Sequence, residues 1–187
     1  MTLCAGPMFS GKSSWLLRRL AERERQGWSA LLLKSAKDTR YASSEVVAHS
    51  GERRACLSVD ALSDASAQCA GAEVVALDEA QFLPDLRELT CELADSGKHL
   101  FVAGLDADFQ RKQFGDVCNL LPIADSVVKL SSSCFLCGAD APFSLRIAGS
   151  TEQVELGGSD RYRAACRRGY IHFHRSRASE AVGATAS

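Results

Sequence analysis

The chain has 187 residues, 46% of them hydrophobic, and a net charge of −1. This is the size of one domain with a sizeable core and at most a small appended lobe. The near-neutral balance gives no electrostatic footprint for a polyanion, so nucleic acid is not the first-choice partner. No apolar run reaches the length of about 18 residues that a membrane span needs.

In chain order, the apolar segment Met1 to Ala5 predicts a first strand. Only five residues precede Gly6, so either that strand is short or the N-terminus has been trimmed. A secretory signal is not expected, because the first positive side chain is Lys12 and Gly6, Pro7 and Gly11 interrupt any apolar region. Next comes Gly6-Pro7-Met8-Phe9-Ser10-Gly11-Lys12-Ser13, reading Gly-x-x-x-x-Gly-Lys-Ser between a strand and a helix, the context of a phosphate-binding P-loop. Gly6 and Gly11 permit backbone angles that turn successive N–H groups around a phosphate, and the helix N-terminus points its partial positive charge at the same spot. Lys12 supplies a point charge for the β- and γ-phosphates, and the Ser13 hydroxyl is a Mg²⁺ ligand in such a loop. The motif predicts binding of a nucleoside triphosphate.

The first helix is predicted from about Ser13 to Gln26, with Trp15, Leu16, Leu20 and Ala21 on its inner stripe and Gly27 ending it. Ser29 to Lys34 reads as a strand buried on both faces, and Lys37 to His49 as polar and turn-like. Asp60 to Ala70 suits a helix capped by Asp60. Glu73 to Asp78 is the clearest buried strand. Pro84 to Ser96 reads as a helix closed by Gly97, and His99 to Gly104 and Ser126 to Leu130 as further strands. Strands alternating with helices predict an α/β fold, a RecA-like parallel sheet with right-handed crossovers. From Ser131 the texture changes to paired cysteines and short segments, a small second lobe covering 131–175. Residues 176–187 are Ala- and Ser-rich and are expected to be a frayed tail.

Val74-Val75-Ala76-Leu77-Asp78-Glu79 places two carboxylates at the C-terminal tip of a strand, the sheet edge at which α/β proteins bind ligands. Beside a P-loop, Asp78 is expected to help hold Mg²⁺ opposite Ser13, and Glu79 to accept a proton from an attacking hydroxyl. Motif physics does not say which hydroxyl. Of the eight cysteines, Cys4, Cys56, Cys69, Cys91 and Cys118 are scattered and read as reduced thiols of a cytosolic protein. Cys134-Phe135-Leu136-Cys137 and Cys166 have the spacing of a tetrahedral structural Zn²⁺ site with two knuckles joining two hairpins.

Five ordered segments carry a resemblance. They are the P-loop, Lys37-Asp38-Thr39-Arg40-Tyr41, Asp78-Glu79-Ala80-Gln81-Phe82, Gly104-Leu105-Asp106-Ala107-Asp108-Phe109-Gln110-Arg111-Lys112 with Phe114-Gly115, and Gly157-Gly158-Ser159-Asp160-Arg161-Tyr162. In order and spacing they resemble the type II thymidine kinases, over about residues 2 to 175. The resemblance implies transfer of the ATP γ-phosphoryl group to the 5′-hydroxyl of thymidine or deoxyuridine. It implies Glu79 as catalytic base, Lys12 as phosphate lysine, Ser13 and Asp78 as magnesium positions, and Asp38 and Arg40 acting near the phosphates. It places Met8, Phe82, Leu105, Phe109 and Phe114 around the thymine ring, Ser144 against the base, and Val154, Gly157 and Tyr162 in the part closing the pocket. The phenylalanines taken alone would pass for core residues. A homotetramer inhibited by dTTP, located in the cytoplasm, is also implied.

The sequence departs from the family pattern in places. The family's fourth zinc ligand falls at Gly169, which has no donor; His172 is the nearest substitute and His174 a weaker one, the alternatives being a three-ligand site or free thiols. Ser50 and Ala80 stand where the family tends to have Asp and Gly. Two readings from other classes compete: a RecA-type ATPase acting on DNA, with the cysteine lobe as a zinc ribbon, and an inactive nucleotide-binding scaffold. Thymidine-dependent transfer, DNA-dependent hydrolysis, or neither, separates the three.

Overall fold

The computed structural model describes residues 1–38, 44–48, 51–155 and 157–184, with the side chains of 178–184 left aside. In chain order the elements are β1 (Thr2–Ala5), α1 (Lys12–Arg25), β2 (Ala30–Ser35), β3 (Glu45–Val47), β4 (Arg53–Ala55), β5 (Leu57–Val59), α2 (Ser66–Gly71), β6 (Val74–Asp78), α3 (Leu86–Asp95), β7 (His99–Gly104), β8 (Ser126–Lys129), β9 (Ser132–Ser133), β10 (Asp140–Ala141), β11 (Phe143–Arg146), β12 (Tyr162–Ala165) and α4 (Arg167–Ala184). Short 3₁₀ turns cover Leu62–Ala65, Ala80–Phe82 and Val117–Ile123.

The expected parallel α/β sheet is present, six strands in the order β5-β2-β6-β7-β1-β8, with every adjacent pair parallel. Its continuous apolar runs follow from burial on both faces. On one face Val74, Ala76, Phe101 and Ala103 meet Leu16, Leu17 and Leu20 of α1. On the other, Val75, Leu77, Leu100 and Val102 meet Leu62, Leu83, Leu86 and Leu120. The carboxyl ends of β1, β6 and β7 therefore share one edge, and the P-loop and Asp78 both sit there, with β7 between their strands.

Several local expectations change. The buried stripe of α1 runs through Leu16, Leu17 and Leu20, with Leu17 rather than Ala21 in the core. The helix read over Asp60–Ala70 is a 3₁₀ turn followed by the short α2, and Asp60 does not cap it. The backbone N–H groups of Leu62 and Ser63 donate instead to the Asp85 carboxylate at 2.8 and 2.9 Å. Within the stretch read as polar and turn-like, Glu45–Val47 forms β3, which pairs with β4 beyond that stretch, and β5 adds an edge strand too short for periodicity to reveal.

Beyond the sheet, β9–β10 and β11–β12 are antiparallel hairpins. One cysteine knuckle is the β9–β10 turn itself, and the other follows β12 of the second hairpin and leads into α4. Tyr170 of α4 packs with Leu145 and Ala165. Helical geometry continues to Ala184, into the stretch expected to be a frayed tail. Among the described residues no helix is long and apolar enough to cross a membrane.

Candidate active site

The loop after β1 leaves the sheet through Gly6, where a Cβ would lie 2.6 Å from the Leu130 carbonyl oxygen. Only a residue without that atom passes so close to the end of β8. Ser10 Oγ and Lys12 Nζ each donate to the Pro7 carbonyl, at 2.8 and 2.7 Å, which curls the loop on itself. Phe9 (φ 65°) and Gly11 (φ 83°) are both left-handed, the handedness change that turns successive N–H groups to one side. No side chain caps α1, and its first turn holds no acid, so its N-terminus is arranged for an external anion. This loop forms one wall of a cleft enclosing about 810 Å³ open to solvent, whose other walls include Lys34, Asp38, Asp78 and Glu79.

Asp78 is buried at the end of β6. Burial first, then the charge of neighbouring Glu79, pushes its carboxyl up to about 7, against the opposing effects of the Ser13 hydroxyl hydrogen-bonded to it and of Lys12. A divalent cation placed between Ser13 and Asp78 would reverse that cost, so this donor set suits a hard cation such as Mg²⁺. Glu79 has a left-handed backbone (φ 50°), an uncommon conformation for a residue with a side chain. Gln81 holds it: Gln81 Nε2 donates to Glu79 Oε2 at 2.6 Å, while the N–H of Leu105 donates to Gln81 Oε1 at 2.9 Å. The carboxylate is thereby tied to the end of β7.

A second cleft, enclosing about 470 Å³ open to solvent, lies on the other side of Glu79. Met8, Leu105, Phe114 and Tyr162 form a buried cluster there, with Phe9, Phe82 and Phe109 against it. Phe82 and Phe114 meet edge to face at 5.4 Å. Such a slot suits a flat, neutral ring. Val154 and Gly157 line it from the segment beyond β11. Ser144 also lines it, but its Oγ accepts from the Met8 N–H at 3.0 Å, pinning the P-loop to β11. Met8, Glu79 and Leu105 are common to both clefts, so Glu79 stands at their junction.

The segment beyond β11 is organised by Arg146, which is 5% exposed. Its guanidinium donates to the carbonyls of Ser150 (2.9 Å), Glu152 and Gln153 (3.2 Å) and, through Nε, to the Tyr162 hydroxyl at 3.0 Å. It also lies 3.9 Å from the Phe109 ring centroid, a cation–π contact. Gln153 Nε2 in turn donates to Asp108 Oδ2 at 2.8 Å.

In the small lobe the Cys134, Cys137 and Cys166 sulfurs lie within 4.8 Å of one another, so the thiol triad fits a zinc-type cation. Burial pushes the Cys134 thiol up, but hydrogen bonds from the backbone at Cys166, Leu136 and Cys137 outweigh it and bring it down to about 7. His172 is not brought into this cluster. One turn along α4 from Gly169, it lines a shallow outer groove with Arg168, Ile171 and Arg175.

The structure thus gathers Gly6, Pro7, Met8, Phe9, Ser10, Gly11, Lys12, Ser13, Asp38, Asp78 and Glu79 at one cleft or its loop, and the expected aromatic residues at the other. Arg40, with Thr39 and Tyr41, lies outside the described residues, as do His49 and Ser50. Sequence reasoning missed Lys34, Gln81 as a holder of Glu79, and Arg146. Lys34 had a signal, being the one charge in an apolar strand and 2% exposed at the cleft.

A family profile described as Thymidine kinase matches residues 1–170. The chain is 41% identical to the cytosolic thymidine kinase of Gallus gallus, over 89% of this chain and 74% of that protein. It is 45% identical to thymidine kinase a of Arabidopsis thaliana, over 90% and 74%. It is 38% identical to the thymidine kinase of Myxoma virus (strain Lausanne), over 90% and 94%.

Proposed function

The chain belongs to the thymidine kinase family, and from that premise we propose that it transfers the γ-phosphoryl group of ATP to the 5′-hydroxyl of thymidine, and of deoxyuridine. One observation supports this reading above the rest: Glu79 is shared by a phosphate-type cleft and an aromatic slot. A sugar alcohol bridging the two would arrive beside that carboxylate.

In this mechanism the P-loop amides and Lys12 hold the β- and γ-phosphates. Asp38 and Arg40 act near them. Ser13 and Asp78 would hold Mg²⁺, which when bound offsets charge on the transferring group. Thymine lies among Met8, Phe82, Leu105, Phe109, Phe114 and Tyr162, with Ser144, Val154 and Gly157 at its edge. Glu79 accepts the 5′-hydroxyl proton as the oxygen–phosphorus bond forms. The bond from the γ-phosphorus to the bridging oxygen breaks, and ADP leaves with its electron pair. Arg146 and Gln81 position the slot and the carboxylate.

In the small lobe, Cys134, Cys137 and Cys166 would hold a structural zinc that ties the β9–β10 turn to the start of α4. A homotetramer, inhibition by dTTP and a cytoplasmic location extend the reading by family likeness. Glu79→Gln tests it: ATP binding persists while transfer to thymidine falls by about 10²–10⁴, the range for losing a positioned base. Unchanged turnover removes Glu79 from the role, and transfer that ignores thymidine among the deoxynucleosides overturns the substrate assignment.

A further inference from the structure

Beside the cysteine triad stands a glycine at the position from which a side chain could supply a fourth donor. Cys137 and Cys166 place their sulfurs 3.7 Å apart, and the Gly169 N–H donates to Cys166 Sγ at 3.2 Å. A Cβ built on Gly169 would lie 3.2 Å from Cys134 Sγ and 3.5 Å from Cys166 Sγ. Residue 169 therefore faces two of the three sulfurs and offers them no side chain. Among the described residues, no fourth His, Cys, Asp or Glu joins the three. Cys137 is exposed, so the cluster is open to water.

A zinc-type cation in a structural site takes four tetrahedral donors, whereas sites with three protein ligands leave a position that exchanges. We propose that this triad is an open-sided metal site: three thiolates hold a zinc-type divalent cation, and its fourth position is filled by an exchangeable ligand from solvent, a water or a small thiol or imidazole. The inference deepens the zinc assignment above and rests on it. On binding, each thiol loses its proton to solvent as its sulfur–metal bond forms, which leaves a singly negative centre. The start of α4, with Arg167 and Arg168, lies beside that charge.

The test uses the full chain, stripped of metal under reducing conditions and reloaded with Co²⁺, whose visible ligand-field bands report its ligands. Wild type should take up one Co²⁺ per chain, and its bands should shift saturably on titration with imidazole and with 2-mercaptoethanol. Gly169→Cys should show a four-thiolate spectrum that neither additive moves, and should lose metal to a chelator at least about tenfold more slowly. His172→Ala should behave as wild type. If wild-type bands ignore both additives while those of His172→Ala respond, a side chain fills the fourth position and the open site is overturned, although metal binding stands. If neither wild type nor Gly169→Cys takes up stoichiometric Co²⁺ or Zn²⁺, the zinc assignment itself fails.

Discussion

Replacing Arg146 with methionine tests how the nucleoside slot is held. The side chain is 4% exposed and donates to three carbonyls of the segment over the slot, at Ser150, Glu152 and Gln153. Hydrogen bonds from a charged donor contribute about 1.5–3 kcal/mol each. Ser150, Glu152 and Gln153 are themselves exposed, so their carbonyls can turn to water, and we reduce the combined loss to about 2–4 kcal/mol. At about 1.4 kcal/mol per tenfold, the KM for thymidine should rise about 30- to 700-fold. The KM for ATP should change by less than about twofold, because the guanidinium touches nothing in the phosphate cleft. Arg146→Lys keeps the charge but loses the planar fork and its stacking on Phe109, and should fall between, at roughly 10- to 50-fold. Steady-state kinetics against each substrate, with thermal melting to exclude general unfolding, separate these effects. A thymidine KM within about threefold of wild type in folded Arg146→Met would refute the reasoning.

Three other perturbations read other parts of the structure. In Gly115→Ala the new Cβ would fall 2.1 Å from the Gln81 carbonyl oxygen, at a backbone φ of 55°. Displacing Gln81 and with it Glu79 should lower kcat/KM by about 10²-fold, and normal activity would show that Gln81 does not set the carboxylate. Gln81→Leu, measured as the ratio of thymidine-independent ATP hydrolysis to transfer, should raise that ratio; an unchanged ratio would count against the tie between Glu79 and Leu105. Asp85→Ala removes the acceptor of the Leu62 and Ser63 N–H groups and should cost about 1–2 kcal/mol, seen as a melting point lower by about 3–6 °C. Burial alone would raise the Asp85 carboxyl, and the Ser63 and Leu62 N–H groups outweigh it to hold the group below its ordinary value of 3.8. Its contribution is therefore full above about pH 4 and fades as pH falls toward the lower folded value. The gap between wild type and variant should narrow in acid, and a gap that stays constant would exclude the carboxylate as its source.

What the sequence made legible was local. The P-loop could be read because its chemistry needs glycine, lysine and a hydroxyl within eight consecutive positions, and Asp78-Glu79 because a strand end fixes where its side chains go. The aromatic slot was not legible in this way: Phe82, Phe109 and Phe114 are each ordinary apolar residues until the fold brings them together, and only family likeness singled them out. Arg146 gave no signal because its partners are mostly backbone carbonyls, which every residue has. The cap of the 62–65 turn was misread for a related reason. Asp60 was the nearer acid in sequence, but the fold carries Asp85 to the N–H groups of Leu62 and Ser63 instead.

The same contrast bears on why transfer to a nucleoside can outrun hydrolysis at this site. Glu79 is set by Gln81, and Gln81 by the Leu105 N–H at the end of β7. The loop that begins there also supplies Leu105, Phe109 and Phe114 to the aromatic slot, and its Asp108 receives Gln153 from the segment that Arg146 organises. A ring entering the slot would bear on the chain of contacts that holds the carboxylate. Water, which needs no slot, gains nothing from it. The P-loop half is curled mainly by local contacts of Ser10 and Lys12 with Pro7, with Met8 pinned to Ser144 of β11, so phosphate binding should persist whether or not an acceptor is present. A site divided in this way should acquire its choice of acceptor through long-range contacts, so substitutions that alter specificity should concentrate in the loop 105–115 and the segment 146–162, with Met8 the position of the glycine-rich loop that lines the slot.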